Sequence, residues 1–426
     1  MATIPASDLN AMIAKERAEE HNGPLQLVHV INECLEIIFQ YLNLVDMYNM
    51  AESDERFIPA LQSAFSQRFE NKRIVWKFLP AKNRKNFIEI PKKLSAATFF
   101  KHFGSKILKL GIVGMNGRDA ENGEESMLRH CANSIIDLEL QKCGLGRHAI
   151  DQPFVKVKQL LIEECCLGPN FSQWFPNVAN LTLNHTHFVQ YNSFEVHFPE
   201  LTALKIDELE ATMMPSSTIS KMLQRNPQLM HLKLYCDYNA DVIKSASECL
   251  SDLEVLKLDL SEDQFEHSFD DQNFLFVNVK QLTLSYGDNF ITNIPLTFRK
   301  LEKLRLYKWD GVNDRVLNFI NENQSIKELQ FADTDEIYND LVMVIQSLPN
   351  LMALTIDAST FTSDELVQLL FDCAKWKITQ LRIRFGEHSQ SQEFRSKAAR
   401  KNNIKWTVKA VRYSYYPVFG LHFNKV

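Results

Sequence analysis

The sequence lacks the features that would point to a membrane, an oxidised compartment or a zinc site. No run of apolar residues approaches the roughly 18 that a membrane-spanning helix requires, and residues 1–24 lack the apolar segment of a signal peptide. The eight cysteines form no CxxC pair and no compact zinc-binding spacing. We therefore expect a protein without a membrane partner, cytoplasmic and/or nuclear, whose cysteines are reduced thiols and mostly buried.

Motifs that hold nucleotides, calcium or a catalytic metal are also missing. The segment "GIVGMNG" at 111–117 has glycines three residues apart, which is not the spacing of a phosphate-binding loop. His185 and His187 stand two residues apart, but no third ligand is fixed near them by spacing. The acidic stretches at 261–271 and 333–340 lack the ligand order of a calcium loop. We predict a non-catalytic protein with no cofactor and no metal site.

The charge of the chain is unevenly distributed. The 426 residues are 45% hydrophobic and carry a formal net charge of -6, which is ordinary for a protein with an ample core. From Lys375 to the end, however, 12 Lys or Arg face 2 Asp or Glu. Trp406 and the tyrosines at 413–416 lie among these cations, which allows a nucleic-acid surface. Because the chain as a whole is acidic and carries no nucleic-acid motif, we predict no nucleic-acid partner.

A pattern of apolar-x-x-Leu-x-apolar recurs after residue 105. It is fullest in "IIDLELQKCGL" (135–145) and "VKQLLIEECCL" (157–167). Alternation along Leu-x-Leu places the leucines on one side of a short strand, while the intervening segments carry apolar residues at helical spacing. Stacked strand-plus-helix units predict an α/β solenoid with a curved parallel sheet inside and helices outside. The units begin at 107, 135, 157, 178, 201, 229, 253, 279, 301, 326, 351 and 378.

This pattern resembles the leucine-rich repeat family over about residues 105–400. Cys143 and Cys165 stand at the Asn/Cys position of the family's pattern, so we expect them to stack in adjacent coils as small apolar residues. A metal or redox role for the two thiols is the alternative. Because a solenoid needs closed ends, we predict an N-terminal cap at 72–104 and a basic C-terminal cap at 401–426.

The stretch "INECLEIIFQYLNLVDMYNMA" at 31–51 is more apolar than one buried face requires. If 31–42 is helical, it carries two apolar stripes side by side. Two more helices are predicted after it, which makes a three-helix domain at 25–71 behind a flexible segment at 1–24. So small a domain cannot bury all of these side chains alone, so we expect a second protein to cover it. The alternative is that the second stripe packs on the solenoid's cap.

The arrangement LxxIFxYLxLxDxxxxAxxxxRF ahead of leucine-rich repeats resembles an F-box. The matching residues are Leu35, Ile38, Phe39, Tyr41, Leu42, Leu44, Asp46, Ala51, Arg56 and Phe57. The resemblance implies docking onto the Skp-type adaptor, and through it the cullin and RING subunits, of an SCF-type (cullin-RING) ubiquitin ligase. Residues implied to contact the adaptor are Ile31, Leu35, Ile38, Phe39, Leu42, Leu44 and Met47.

Side chains between the repeat leucines face away from the core and form a cationic row. We interpret this row as a surface for an acidic or phosphorylated segment of a protein substrate. The alternative is that exposed lysines serve solubility and are partly neutralised by Asp207 and Asp259. The predicted substrate-facing residues are Lys205, Lys233, Tyr235, Lys257, Arg305, Tyr307 and Arg382.

Two functional hypotheses follow. In the first, the protein is the substrate-recognition subunit of the ligase and works by raising the effective concentration of the substrate. In the second, the N-terminal helices only cap the solenoid, and the protein is a free-standing leucine-rich-repeat scaffold or inhibitor.

Overall fold

The computed structural model describes residues 30–77, 87–115, 125–145, 150, 152–168, 171–188, 195–208, 214–236, 240–259, 273–285, 296–307, 314–332, 338–358, 361–376, 378–385, 388–400, 406–412 and 419–425. The segment expected to be flexible, 1–24, lies outside these residues. Within the described ranges no helix is long and apolar enough to cross a membrane.

Three short helices form an N-terminal head. They are α1 (Asn32–Phe39), α2 (Leu44–Ser53) and α3 (Ile58–Phe69). The Asn43 side chain caps α2 by accepting a hydrogen bond from the backbone N–H of Asp46 at 3.0 Å. These three helices lie within the segment 25–71.

The head packs on the first unit of the array. This unit contains β1 (Arg73–Lys77), β2 (Phe87–Glu89) and α4 (Ala96–Phe103). The ring of Phe65 on α3 stacks on that of Phe103 on α4 at 5.0 Å between centroids. The Glu52 carboxylate lies 2.7 Å from Nε2 of His102. Head and array therefore share one hydrophobic core, and the unit at 72–104 covers one face of the head.

Among the described residues, twelve repeat strands follow in one sheet, and each begins two residues after the predicted start of its repeat unit. The strands pair in parallel with their leucines in register, for example Leu204 with Leu232 and Leu232 with Leu256. The repeat strands are β3 (Lys109–Val113), β4 (Asp137–Gln141), β6 (Gln159–Glu163), β8 (Asn180–Asn184), β10 (Ala203–Glu208), β11 (His231–Cys236), β12 (Val255–Asp259), β14 (Gln281–Ser285), β16 (Lys303–Tyr307), β17 (Glu328–Ala332), β18 (Ala353–Asp357) and β19 (Gln380–Phe385).

Between these strands the chain forms helices and short accessory strands. The helices are α5 (Phe171–Trp174), α6 (Ser216–Arg225), α7 (Ala240–Cys249), α8 (Asp314–Glu322), α9 (Tyr338–Gln346), α10 (Ser363–Lys375) and α11 (His388–Arg400). The accessory strands are β5 (Gly144–Leu145), β7 (Cys166–Leu167) and β9 (His187–Phe188) in one small sheet, and β13 (Phe274–Phe276) and β15 (Leu296–Phe298) in another. The result is an α/β architecture with one large, mostly parallel sheet and helices, consistent with the predicted solenoid.

A repeated hydrogen-bond pattern fixes the register of successive coils. The carbonyl of Ile136 accepts from the N–H groups of both Lys158 and Gln159, at 2.8 and 3.1 Å. The same double acceptance recurs along the array from Leu108 to Met352. Because each coil is tied to its neighbour twice at the strand entrance, side chains at one repeat position form straight rows across the sheet.

The expectation that Cys143 and Cys165 stack in adjacent coils is confirmed. The N–H of Cys143 donates to Sγ of Cys165 at 3.3 Å, and Thr186 takes the same position in the next coil. Each of the three donates its side-chain hydrogen to the carbonyl two residues earlier. The residue before each has a positive φ, between 47° and 54°, so His185 serves as a turn residue there.

The C-terminal end is closed by a hairpin. The strands β20 (Trp406–Arg412) and β21 (Phe419–Lys425) are antiparallel, and β21 pairs with β19. The ring of Phe394 on α11 lies 5.7 Å from that of Phe385 and 5.8 Å from that of Phe423. The hairpin and α11 therefore pack against the last repeat strand.

Candidate functional site

One side of α1 presents apolar side chains to solvent. At about 100° per residue, Cys34, Ile37 and Ile38 occupy one side of α1, next to the side that faces the core. Ile31, the N-cap, and Tyr41, just past the C-cap Gln40, extend this surface beyond the two ends of the helix. Ile37 is 60% exposed and Tyr41 is 84% exposed, which is unusual for large apolar side chains grouped on one surface. We call this surface the outward stripe; its members are Ile31, Cys34, Ile37, Ile38 and Tyr41.

The residues implied to contact an adaptor separate into two groups, which corrects the expectation. Leu35, Phe39, Leu44 and Met47 are buried in the protein's own core, with Phe39 1% exposed and Met47 fully buried. Leu42 is partly buried against that core. The physical reason is that Leu35 and Phe39 lie one helical turn apart on the side of α1 that faces the rest of the head, where Phe39 meets Phe57 at 5.8 Å.

Only Ile31 and Ile38 of that set are exposed, and both belong to the outward stripe. The residues that the F-box resemblance implies as adaptor contacts do not include Ile37, Tyr41 and Cys34, which the structure also exposes. The signal was available, because these three form the second apolar stripe of the helix.

The end of α1 is held firmly to α3. One guanidinium nitrogen of Arg68 donates to the carbonyls of Gln40, at 3.0 Å, and of Leu42. The side-chain amide of Gln40 donates to that of Gln67 at 2.5 Å. These contacts satisfy carbonyls that the helix end leaves free, so the outward stripe sits on a fixed support.

A row of cations crosses the open face of the sheet, opposite the buried leucines. Lys205, Lys233 and Lys257 stand directly beside one another on β10, β11 and β12. Thr283 on β14 and Arg305 on β16 continue the row in register. The structure therefore brings together the cations that the sequence placed at one repeat position.

Tyrosines from the neighbouring repeat position join these cations into one network. Nζ of Lys257 lies 4.7 Å from the ring centroid of Tyr235 and 5.4 Å from that of Tyr307, and Nζ of Lys205 lies 5.1 Å from Tyr235. The amide of Gln330 donates to the Tyr307 hydroxyl at 3.4 Å. We call Lys205, Tyr235, Lys257, Tyr307 and Gln330 the Lys–Tyr row.

The surroundings of the Lys–Tyr row shift the pKa values of Lys257 and Tyr235. Burial lowers the pKa of the Lys257 ammonium, and the neighbouring cations Lys233, Arg305 and Lys205 lower it further against the opposing effect of Asp259. Burial also raises the pKa of the Tyr235 phenol. Both shifts reflect groups held partly away from water on a rigid sheet.

Arg382 lies apart from this network. Its strand, β19, is separated from β16 by β17 and β18, which place Gln330 and Thr355 in between. Its guanidinium donates to the Gln380 side chain at 3.1 Å. We therefore remove Arg382 from the set of residues that act together. The tyrosines at 413–416 lie outside the described residues.

A second basic surface lies at the entrance edge of the strands. It is a groove of about 530 Å³. Its lysines are paired: Lys280 with Glu254 at 2.6 Å, and Lys327 with Glu302 at 2.7 Å. The lining residues are Lys280, Arg299, Lys300, Glu302, Ser325, Lys327, Asn350 and Met352.

Within the described part of the chain, no three His, Cys, Asp or Glu side chains come together as ligands of a metal ion. No protein-family model matches the sequence, and no curated protein matches it. Among solved structures, a leucine-rich-repeat protein of Leptospira interrogans is similar at a TM-score of 0.24 and 10% identity. That match covers 68% of this chain and 91% of the other. A similarity at this level carries no inference about function.

Proposed function

We propose that the protein is a non-catalytic substrate-recognition subunit of an SCF-type ubiquitin ligase. In this proposal the head docks on a Skp-type adaptor, and the open face of the repeat sheet holds the protein substrate. The observation that carries the proposal is the outward stripe: a group of large apolar side chains that the chain's own core leaves uncovered. The resemblance of residues 35–57 to an F-box identifies the class of partner that would cover it.

The energetics support a stable contact. Covering a large apolar side chain stabilises a complex by about 1.5 to 3 kcal/mol. Ile31, Ile37 and Ile38 are about half exposed and Tyr41 is mostly exposed, so covering all four contributes roughly 4 to 7 kcal/mol. This gain is at or above the lower estimates of the free-energy cost of association. Left uncovered, the same surface favours non-specific association.

The rigid link between head and array supports the second half of the proposal. The head shares its core with the first repeat unit, so a partner on α1 and a substrate on the sheet are held in a fixed relation. A fixed relation keeps the substrate near the ligase at high effective concentration, which is the whole mechanism of a recognition subunit.

One observation favours the alternative, a free-standing scaffold or inhibitor. The contact of α3 with α4 covers the first unit of the array, as a cap would. The two proposals differ in what they require of the outward stripe, since a cap needs only the inward side of α1.

Affinity purification from cells with the proteasome blocked separates the two proposals. The intact protein should recover the adaptor and cullin, whereas a variant with Ile38→Asp and Tyr41→Asp should recover substrates alone. Because both residues are exposed, the variant should remain folded. A matched control changes two exposed methionines on the array, Met343→Asp and Met352→Asp, and should keep the adaptor. Recovery of the adaptor by the head variant would overturn the proposal.

A further inference from the structure

The cations at the centre of the open face differ from the other lysines of the array. At the entrance edge, lysines form ion pairs with glutamates of a neighbouring coil, as in Lys280 with Glu254 and Lys327 with Glu302. On the open face, Lys205 pairs with Asp207 at 2.7 Å. Among the described residues, however, Lys233, Lys257 and Arg305 have no ion pair and donate no hydrogen bond. Lys257 and Arg305 are also partly buried, which a cation placed for solubility alone would not need to be.

Lys257 is held in place although no anion contacts it in the described structure. Its chain crosses β14, where the short side chains Thr283 and Ser285 are buried, and its ammonium stands between two tyrosine rings. Across Thr283 stands Arg305, whose buried Nε has no hydrogen-bond partner in the described structure. Donors that are ordered and partly desolvated before any ligand arrives form a preorganised anion site.

From this arrangement we infer that the open face binds an acidic segment of a partner protein, with one carboxylate or phosphate group held between Lys257 and Arg305. The ligand's negative oxygens would accept hydrogen bonds from both cations, and the guanidinium fork suits either group. Lys233, exposed on the adjacent strand, would meet a second negative charge. This inference rests on the proposed function, in which the sheet holds the substrate.

The dimensions of the Lys–Tyr row set the length of the segment. From Lys205 on β10 to Gln330 on β17 there are five strand spacings, roughly 24 Å in total. An extended peptide covers that distance in about seven residues. A peptide of about eight residues is therefore the appropriate probe.

Fluorescence anisotropy with the full-length protein tests this inference. Three labelled peptides of the same length carry alternating Glu, alternating Gln, or one phosphoserine in a Gln background. The Glu peptide, the phosphoserine peptide or both should bind at least about tenfold more tightly than the Gln peptide, and the stronger of the two identifies the group. No preference over Gln for either anionic peptide would overturn the inference.

Charge-matched variants locate the site. Lys257→Gln and Arg305→Gln should each raise the Kd for the preferred anionic peptide by about tenfold. Lys280→Gln and Lys327→Gln remove the same charge at the edge groove and should change binding by less than about twofold. Equal losses in all four variants would show attraction to overall charge, and a larger loss at the groove would show that the ligand binds there. Either result contradicts the inference.

Adaptor binding, measured on the same variants, separates the two proposals. Lys257→Gln should bind adaptor normally, and the Ile38→Asp and Tyr41→Asp variant should bind the acidic peptide normally. Absent peptide binding with adaptor binding intact would overturn the inference alone. Absent adaptor binding with peptide binding intact would overturn the ligase proposal alone.

Discussion

Arg73 on β1 donates a hydrogen bond to the carboxylate of Glu139 on β4, across the strand β3 that lies between them. At that level β3 carries Gly111, so no side chain of β3 stands between the two residues; a Cβ there would make ordinary contact with Cδ of Arg73 at 3.6 Å and with Val75 at 3.4 Å. The same guanidinium also donates to Asp137. The first three coils are thus joined on the open face by a single cation.

Removing that cation should destabilise the N-terminal end. Arg73→Ala removes the hydrogen bonds that this guanidinium donates to Asp137 and to the buried Glu139, and we expect the free energy of unfolding in urea to fall by about 2 kcal/mol. Gly111→Leu should have a similar effect, because the larger side chain displaces the guanidinium. Arg56→Ala is the control, since Arg56 pairs with Asp54 in solvent and should not change the unfolding midpoint. Equal effects of Arg73→Ala and Arg56→Ala would contradict the account.

Two buried asparagines offer a matched comparison of hydrogen-bond satisfaction. The Asn226 side chain donates to the carbonyls of Val196 and Met222 and accepts from the N–H of Phe198, all within 3.0 Å. Asn323 donates to the carbonyl of Phe319 at 2.7 Å, but its buried oxygen has no partner in the described structure.

Asn226→Ala should therefore cost about 3 kcal/mol of unfolding free energy, and Asn323→Ala about 1 kcal/mol. Urea unfolding followed by circular dichroism gives both values. A larger cost at Asn323 would show that an interaction outside the described residues satisfies its oxygen.

Thiol reactivity should follow the stacking of the coils. Cys34 and Cys166 are exposed, whereas Cys131, Cys165 and Cys373 are buried. With iodoacetamide under native conditions, we expect mass spectrometry to find the two exposed thiols modified first. The neighbouring residues Cys165 and Cys166 are the internal control. Labelling of Cys165 as fast as that of Cys166 would contradict the stacked arrangement.

Stability should fall at alkaline pH. Burial raises the pKa of the Cys131 and Cys373 thiols above the ordinary value of 9.0. As the pH rises past that value, the unfolded chain releases these protons while the folded chain retains them, so stability present below about pH 9 is progressively lost above it. The urea midpoint should be the same at about pH 7 and pH 8 and lower at about pH 10. In a variant with Cys131→Ala and Cys373→Ala the decline should be shallower, and an unchanged decline would exclude these thiols as its cause.

The sequence predicted the regular part of this structure because each coil repeats the same local rule. A leucine at the fourth position of every unit marks a strand, and the order of strands in the sheet follows from the order of units. The segments predicted to cap the array carry no leucine pattern; they are predicted from strand and helix periodicity at 73–78, 96–103, 403–413 and 415–423.

Side-chain contacts between different coils could not be predicted from the sequence. Both apolar stripes of α1 have the same period, so periodicity could not tell that Leu35 faces the core and Ile38 faces solvent. The contact of Lys257 with both tyrosines depends on small side chains on β14. Arg73 pairs with Glu139, 66 residues away, only because the fold brings β1 and β4 to either side of β3.

The central claim is that a second polypeptide binds the outward stripe of α1. Titration calorimetry of the full-length protein with a purified Skp-type adaptor tests it most directly, with Ile38→Asp and Tyr41→Asp as the altered surface. The account predicts a one-to-one complex with the unaltered protein and at least about a hundredfold weaker binding by the variant. Equal affinities, or no complex with either protein, would contradict it.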